Sequence, residues 1–215
     1  MRNEQTLAED RWIGAMPPKK KQPPQAAMPP GKRQRQAKSW GRVDVGVCGL
    51  QGERPTMEDA HFAAPAFIAS SVQLDDLQAT KASPLHCFGV FDGHGGDACA
   101  TFVSTELPKQ LKCSLAARLP AVAALVNAHQ AADVQWFRSP SRDMSGTTAV
   151  SVLLESASGR VLAANVGDSR AIIVRGKKAI ALTTDHDADN KAEKRRLKAV
   201  GAEVDDDGFV LSGSL

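Results

Sequence analysis

The chain has 215 residues, 42% of them hydrophobic, which suits one domain with a buried core and excludes a wholly disordered protein. Its formal charge of +3 is uneven: residues 1–40 contain nine basic and three acidic side chains, so the remainder is slightly acidic. No run approaches the about 18 consecutive apolar residues that a membrane span needs, and the N-terminus lacks the apolar segment of a secretory signal. The spacing of the four cysteines matches no zinc motif. We therefore expect free thiols in a reducing compartment, cytoplasmic and/or nuclear, and no membrane association.

Residues 1–39 form a basic, proline-rich tail that we predict to be disordered. Three Pro-Pro pairs stand among Lys, Arg and Gln, and this composition buries too little apolar surface to offset chain entropy. The basic runs at 19–21 and 32–35 are compatible with a nuclear address or a polyanion contact. No aromatic residues interleave with them, which argues against single-strand binding. We expect a solvated tail with at most weak nucleic-acid contacts, followed by a folded domain over 40–215.

The first part of the domain begins with strand patterns. Valines alternate with other residues over 43–48, which predicts a half-buried strand. Residues 63–84 are Ser/Ala-rich and favour a loop. The apolar run over 85–91 predicts a buried strand that ends on an acid, Asp92.

Two helical patterns follow this strand. Residues 97–114 have helical spacing, and Pro108 is expected to kink or interrupt that helix. Residues 119–137 predict a second helix. The side chains expected on its inner face are Val122, Leu125, Val126 and Trp136.

From residue 147 onwards the period changes to short strands. Four apolar runs up to about residue 183 are separated by turn clusters, which is typical of an antiparallel meander. Residues 188–201 predict a charged helix closed by Gly201, and Asp207-Gly208 predicts a hairpin turn. Because strands and helices are segregated along the chain, the fold class is predicted as α+β.

Acidic side chains fall at strand ends or turns in four places. Each alone is an ordinary solvated turn, but clustered carboxylates repel one another unless a divalent cation neutralises them. Oxygen-only ligands favour Mg²⁺ or Mn²⁺ over zinc, so the pattern as a whole predicts such a site. The residues are Glu58 with Asp59, Asp92, Asp168, and Asp185 with Asp187.

Five motifs give the chain a resemblance to a known family. They are "RPTMEDAHF", "FGVFDGHGG", "SGTTAVSVLL", "LAANVGDSRA" and "ALTTDHDADNKAEKRRLKAVGAEV". In this order they resemble the metal-dependent Ser/Thr protein phosphatases of type 2C, also called PPM-type. The resemblance implies a β-sandwich of two antiparallel sheets flanked by helices, with metal ions in a cleft at one end. It also implies hydrolysis of phosphoserine and phosphothreonine in protein substrates by a metal-activated water.

The resemblance also assigns metal ligands. Asp92 matches the family's bridging carboxylate between two ions, and the Gly93 carbonyl matches a backbone ligand. Glycine suits that place because it allows close approach of the backbone. Glu58 is expected to act through water and Asp59 to support the same cluster. Asp168 corresponds to a third, weaker metal site, although it is also compatible with a plain turn acid.

Two further residues are assigned to the reaction itself. Arg54 is the candidate for binding the substrate phosphate, because a guanidinium offers two parallel donors to phosphate oxygens. His94 matches the family's general acid, which protonates the leaving Ser or Thr oxygen. The segment 145–149 is interpreted as shaping the sheet and the cleft floor.

The chain departs from the family after "VLSGSL" at 210–215. In the family, later Asp-Gly and Asp-Asn motifs supply two aspartates to the second ion, and we find none here. We therefore expect a domain incomplete at its C-terminus and little or no activity from the 215-residue chain alone. A fragment, a truncated gene product and a non-catalytic regulator that binds phosphoproteins remain alternatives. We expect a monomer.

Overall fold

The computed structural model describes residues 43–68, 84–139, 143–156, 158–187, 190–204 and 210–212. The predicted tail over 1–39 lies outside these residues. Within them, no helix is both long and apolar enough to cross a membrane. The elements in chain order are β1 (Ala60–Ile68), β2 (Leu85–Phe91), β3 (Gly93–His94), α1 (Ala98–Ala116), α2 (Ala121–Phe137), β4 (Gly146–Thr147), β5 (Ala149–Glu155), β6 (Arg160–Val166), β7 (Ile172–Arg175), β8 (Lys178–Ala181), α3 (Lys191–Ala199), β9 (Glu203–Val204) and β10 (Val210–Ser212).

The centre of the fold is a four-stranded antiparallel sheet in the order β1-β2-β5-β6. Successive side chains of a strand point to opposite faces, and Cys87 of β2 stands opposite Leu153 of β5 on the face that α1 and α2 cover. These two side chains, with Phe91, belong to the buried core. The predicted α+β class, with antiparallel sheets flanked by helices, is confirmed.

Helix α1 spans 19 residues and continues through Pro108, so the proline does not interrupt it, and the kink that was expected as the alternative stays a prediction. Leu107, Leu111 and Leu115 are fully buried on both sides of the proline. Their packing against the sheet and α2 keeps the chain helical across the proline, because burial of each leucine contributes about 1.5–3 kcal/mol of stability.

Helix α2 was predicted at the right place, but part of its inner face was not. Val122 and Val126 are 52% and 50% exposed, whereas Ala124 and Ala128 are fully buried. Small side chains allow α2 to lie close to α1, so the alanines face inward although valine is the more hydrophobic residue. The inner positions of Leu125 and Trp136 are confirmed. Leu125 is 3% exposed, and Trp136 packs on Phe102 of α1 with ring centroids 5.4 Å apart.

Strand β1 extends into the segment that was predicted as a loop. It pairs with β2 up to Ala64, then a bulge shifts the register so that Ile68 stands opposite Leu85. The bulge contains Pro65, which disfavours a strand, and Ala66 with φ of +54°. The backbone N–H of Ala66 donates to Nδ1 of His86 at 3.2 Å. This tertiary contact holds a conformation that the local sequence does not predict.

The valine-rich segment 43–48 is not a strand, so that prediction is wrong. It lies along the outer face of the sheet, where it lines a cavity with Phe88, Val90 and Val152. Strand pairing needs a neighbouring edge with free hydrogen-bonding groups, and within the described residues this segment contacts a sheet face instead.

The strands after residue 147 are antiparallel, as predicted, but they do not form one meander. β5 and β6 extend the central sheet, whereas β7 and β8 form a separate hairpin. Helix α3 is capped by the Asn190 side chain, which accepts from the Ala192 N–H, and it ends before Gly201 with φ of +74°. β9 and β10 pair with Val210 opposite Val204, and the predicted turn at 207–208 lies outside the described residues.

Candidate functional site

Five of the predicted site residues line one cavity of about 330 Å³. It lies between the segment 50–59 and the end of β2, so residues distant in sequence meet there. The chemical groups that these five residues carry are charged side chains and a backbone carbonyl. The predicted residues are Arg54, Glu58, Asp59, Asp92 and Gly93.

Asp92 is fixed by hydrogen bonds of its own backbone. Its N–H donates to Oγ1 of Thr148 at 3.1 Å, and the Thr148 N–H donates to its carbonyl at 2.9 Å. These two hydrogen bonds fix the backbone at the point where the chain leaves β2, and they position the Asp92 side chain at the end of this strand.

The pKa of Asp92 is raised, first by partial burial and then by the negative charges of Asp59 and Asp168. The charges of His94 and Arg54 oppose this rise in pKa. Asp168 does not line the cavity, yet its charge acts on the Asp92 carboxyl. An ionised Asp92 is thus disfavoured by its neighbours, and a bound divalent cation would reverse this preference.

Gly93 packs directly on the backbone of Glu58. A Cβ at position 93 would lie 2.3 Å from the Glu58 carbonyl oxygen, so any side chain would force the two segments apart. Glu58 is further oriented by Thr56, whose Oγ1 donates to its Oε1 at 3.0 Å. The glycine predicted for its approach to an ion therefore also sets the position of Glu58 beside Asp92.

The donor types in this cavity fit a hard cation. Carboxylates of Glu58, Asp59 and Asp92 and the Gly93 carbonyl are oxygen ligands of the kind that Mg²⁺ and Mn²⁺ take. In the part of the chain that is described, however, no three His, Cys, Asp or Glu side chains are grouped closely enough to hold an ion by themselves. Water and the backbone carbonyl would have to complete the coordination, which Mg²⁺ commonly accepts.

Thr148 links this cavity to the loop that carries Asp168. Its Oγ1 lies 2.5 Å from Oγ of Ser169, and a Cβ on Gly167 would lie 2.9 Å from its Cγ2. One hydroxyl therefore joins the Asp92 backbone to the 167–169 loop. The segment 145–149 was predicted to shape the cleft floor, but the link through Thr148 was not predicted, because this contact depends on strands that are distant in sequence.

The acids at 185 and 187, predicted as part of the acidic pattern, have structural partners instead. Asp185 accepts two hydrogen bonds from the Arg170 guanidinium, one of them 2.8 Å from Nε to Oδ1. This pairing lowers the pKa of Asp185. Asp187 Oδ1 accepts from the N–H of Asn190 at 2.7 Å, just before α3. These contacts brace the region after Asp168.

His94 lies apart from the other candidates. It is exposed on β3, which pairs with β4 so that His94 stands opposite Gly146. Its ring covers that glycine, since a Cβ on Gly146 would lie 2.3 Å from its Nε2. The ring does not line the 330 Å³ cavity but a neighbouring pocket, while its charge still lowers the pKa of Asp92.

Comparison with proteins of known sequence gives consistent similarities. Protein phosphatase 2C 56 of Arabidopsis thaliana is 32% identical over 171 residues, covering 74% of this chain and 39% of the relative. Protein phosphatase 2C homolog 2 of Aspergillus flavus is 35% identical over 164 residues, covering 74% of this chain and 37% of the relative. The chain thus spans well under half the length of these two relatives.

A solved structure shares the fold. A Caenorhabditis elegans sex determining protein superposes with a TM-score of 0.60 at 24% identity, covering 77% of this chain and 39% of that one. The family model "Protein phosphatase 2C" matches residues 43–213, which is most of the sequence. The chain therefore belongs to the protein phosphatase 2C family.

Proposed function

We propose that the protein hydrolyses phosphoserine and phosphothreonine in other proteins, using water activated by Mg²⁺ or Mn²⁺. The observation that supports this most directly is the shared cavity of Arg54 with Glu58, Asp59 and Asp92. A guanidinium binds phosphate oxygens, and the carboxylates suit the divalent ions that activate water. Protein phosphatase function and metal dependence are general to the family; the residue roles are our assignment.

Arg54 binds the substrate in this proposal. Its planar guanidinium donates two parallel hydrogen bonds to non-bridging phosphate oxygens, which also orients the phosphorus atom. Asp92, the Gly93 carbonyl, Glu58 and Asp59 would hold the ions, with Asp168 available to a further one. When bound, such ions lower the pKa of a coordinated water and neutralise developing charge on the phosphoryl group.

His94 acts on the other side of the scissile bond. The oxygen–phosphorus bond to the Ser or Thr side chain breaks as water adds to phosphorus, and the imidazolium of His94 gives its proton to the departing oxygen. Its position outside the carboxylate cavity suits this role, because an in-line displacement places the leaving oxygen opposite the attacking one.

The test measures hydrolysis of p-nitrophenyl phosphate and of a phosphothreonine peptide with and without Mn²⁺. Because the chain spans only part of its relatives, it is assayed alone and as a fusion carrying the remaining C-terminal part of the Aspergillus relative. We expect Mn²⁺-dependent turnover by the fusion, weaker or absent turnover by the chain alone, and loss of turnover in Asp92→Asn.

A specific outcome would favour the non-catalytic alternative. If the fusion binds the phosphopeptide through Arg54 without regard to metal, and neither protein hydrolyses it, the protein is a phosphoprotein-binding regulator and the proposal is wrong. Strong turnover by the chain alone would instead contradict only the expectation that it is incomplete.

A further inference from the structure

A second pocket, of about 670 Å³, lies between the helix pair and the β3–β4 strands. Its volume falls within the about 300–1,000 Å³ typical of ligand pockets. Its wall is mainly apolar, and its polar groups stand at a few positions. The principal apolar side chains are Val103, Leu107, Trp136, Phe137, Met144 and Val166.

Two of these side chains are unusually accessible for their size. Phe137 is 75% exposed and Met144 is 93% exposed, whereas Leu107 at the base of the pocket is fully buried. The wall is nevertheless fixed, because the Cys99 N–H at the start of α1 donates to Oγ of Ser145 at 3.0 Å. The pocket therefore combines a firm apolar base with an apolar rim open to water, as a binding site does.

The pocket adjoins the proposed catalytic site at His94. The imidazole is part of the pocket wall, it covers Gly146, and its charge acts on Asp92. The leaving oxygen of a substrate must meet this imidazole, so the substrate backbone passes the pocket mouth. Neighbouring Cα atoms are 3.8 Å apart, which brings an adjacent side chain within reach of the pocket.

We infer that this pocket binds a bulky apolar side chain, such as Leu, Met or Phe, next to the phosphorylated residue of the substrate polypeptide. This inference rests on the proposed function, because it assumes that His94 faces the leaving group. It assigns a substrate class to the site: phosphoproteins with an apolar residue directly before or after the phosphorylated Ser or Thr.

The charges around the pocket refine this preference. Asp133 and Asp143 are part of its lining, and the negative charges of both help to raise the pKa of Cys99 to about 11, after burial. An acidic side chain in the pocket would meet these carboxylates and lose its hydration. Substrates with Asp or Glu beside the phosphorylated residue are therefore the poorest.

The experiment uses the fusion that carries the remaining C-terminal part of the Aspergillus relative, and compares phosphothreonine peptides that carry Leu, Ala or Glu at the residue before or after the phosphothreonine. For at least one of these positions we expect kcat/KM about tenfold higher for Leu than for Ala, from burial of the side chain, and lower still for Glu. The same order of preference is expected in binding to the Asp92→Asn variant, with the lowest Kd for Leu and the highest for Glu, measured by fluorescence anisotropy, which does not depend on turnover.

Phe137→Ser and Met144→Ser should each reduce the Leu-over-Ala preference, with a smaller effect on p-nitrophenyl phosphate. Val122→Ser is the matched control for Phe137→Ser. Val122 is an apolar residue of the same helix, α2, and is 52% exposed, but it lies outside the pocket. It should leave the preference unchanged.

Equal kcat/KM and equal Kd for the Leu and Ala peptides would overturn the inference, even if p-nitrophenyl phosphate is hydrolysed normally. Equal losses on all substrates in Phe137→Ser would also overturn it, because the pocket would then only support the fold. Failure of the fusion to hydrolyse p-nitrophenyl phosphate at all would contradict the proposed function, while the Kd ranking would still decide the inference.

Discussion

Adjacent residues, Gly93 and His94, line two cavities that are built in different ways. The smaller one is surrounded by Arg54 and three acidic side chains, held in place by strand ends, a glycine contact and backbone hydrogen bonds. The larger one is lined mainly by apolar side chains of α1, α2 and the neighbouring strands and loop. The comparison shows that a single two-residue strand separates a charged cavity from a largely apolar one. Changes of charge should therefore affect the first cavity, and changes of volume the second.

The largest effect is expected from Asp92→Asn. In the fusion, we expect turnover of both p-nitrophenyl phosphate and phosphopeptide to fall to the background rate, because the shared ligand loses its charge. Stability should change in the opposite sense in EDTA: the raised pKa of Asp92 reports its partial burial and then the repulsion from Asp59 and Asp168, so its neutralisation raises Tm. Added Mn²⁺ should then stabilise the variant less than the native chain. A lower Tm in EDTA would contradict this account.

His94→Ala should separate two substrates. Loss of a general acid reduces hydrolysis of the phosphothreonine peptide by about 10²–10⁴-fold, because an alkoxide leaves poorly without a proton. p-Nitrophenolate leaves readily, so its phosphate ester should be much less affected. His61→Ala, a change at an exposed histidine on β1, is the matched control. Equal losses on both substrates would show that His94 supports the site in another way.

Thr148→Val should weaken metal binding while preserving side-chain volume. The hydroxyl that joins Asp92 to Ser169 is lost, and such supporting contacts typically change metal affinity by about 10–100-fold. Thr148→Ser keeps the hydroxyl and should remain close to the native affinity. Mn²⁺ affinity, measured from the electron paramagnetic resonance signal of free Mn²⁺, tests this directly. Equal affinities in the two variants would show that the hydroxyl does not position the ligands.

The fold was predictable from sequence where local pattern and burial agree. β2 was predicted at its observed bounds because it lies between β1 and β5 and its side chains Leu85, Cys87 and Phe91 are buried. Gly201 marks the end of α3 through local capping chemistry. The prediction failed for Ala66, whose positive φ is stabilised by His86, a residue of another strand. It failed for Val122 because close packing of two helices selects small side chains, which hydrophobicity alone does not indicate.

The candidate site was predictable as a set of residues but not as an arrangement. Motif order identified Arg54 and Asp92, and these do share a cavity. The packing of Gly93 on the Glu58 backbone and the bridge from Thr148 to Ser169 depend on how separate strands and loops meet. Neither contact has a local sequence signal. The acidic pattern at Asp185 gave a misleading signal, because its partner Arg170 is 15 residues away along the chain.

The smallest effect concerns pH and the apolar pocket. His129, in the wall of that pocket, donates from Nδ1 to the Leu125 carbonyl at 2.9 Å, and burial lowers its pKa below the ordinary 6.5. Below pH 6.5 the unfolded chain binds a proton that the folded chain does not, so stability falls as pH drops from 6.5 towards the lowered pKa.

His129→Gln should flatten this part of the stability profile, measured by urea unfolding between pH 5 and 7.5 (a range chosen to span about 6.5). The slope should decrease without vanishing, because burial also lowers the pKa of His86 and that residue acts in the same sense. An unchanged slope would mean that burial does not disfavour protonation of His129. The pocket wall would then tolerate a positive charge more easily than its apolar lining implies.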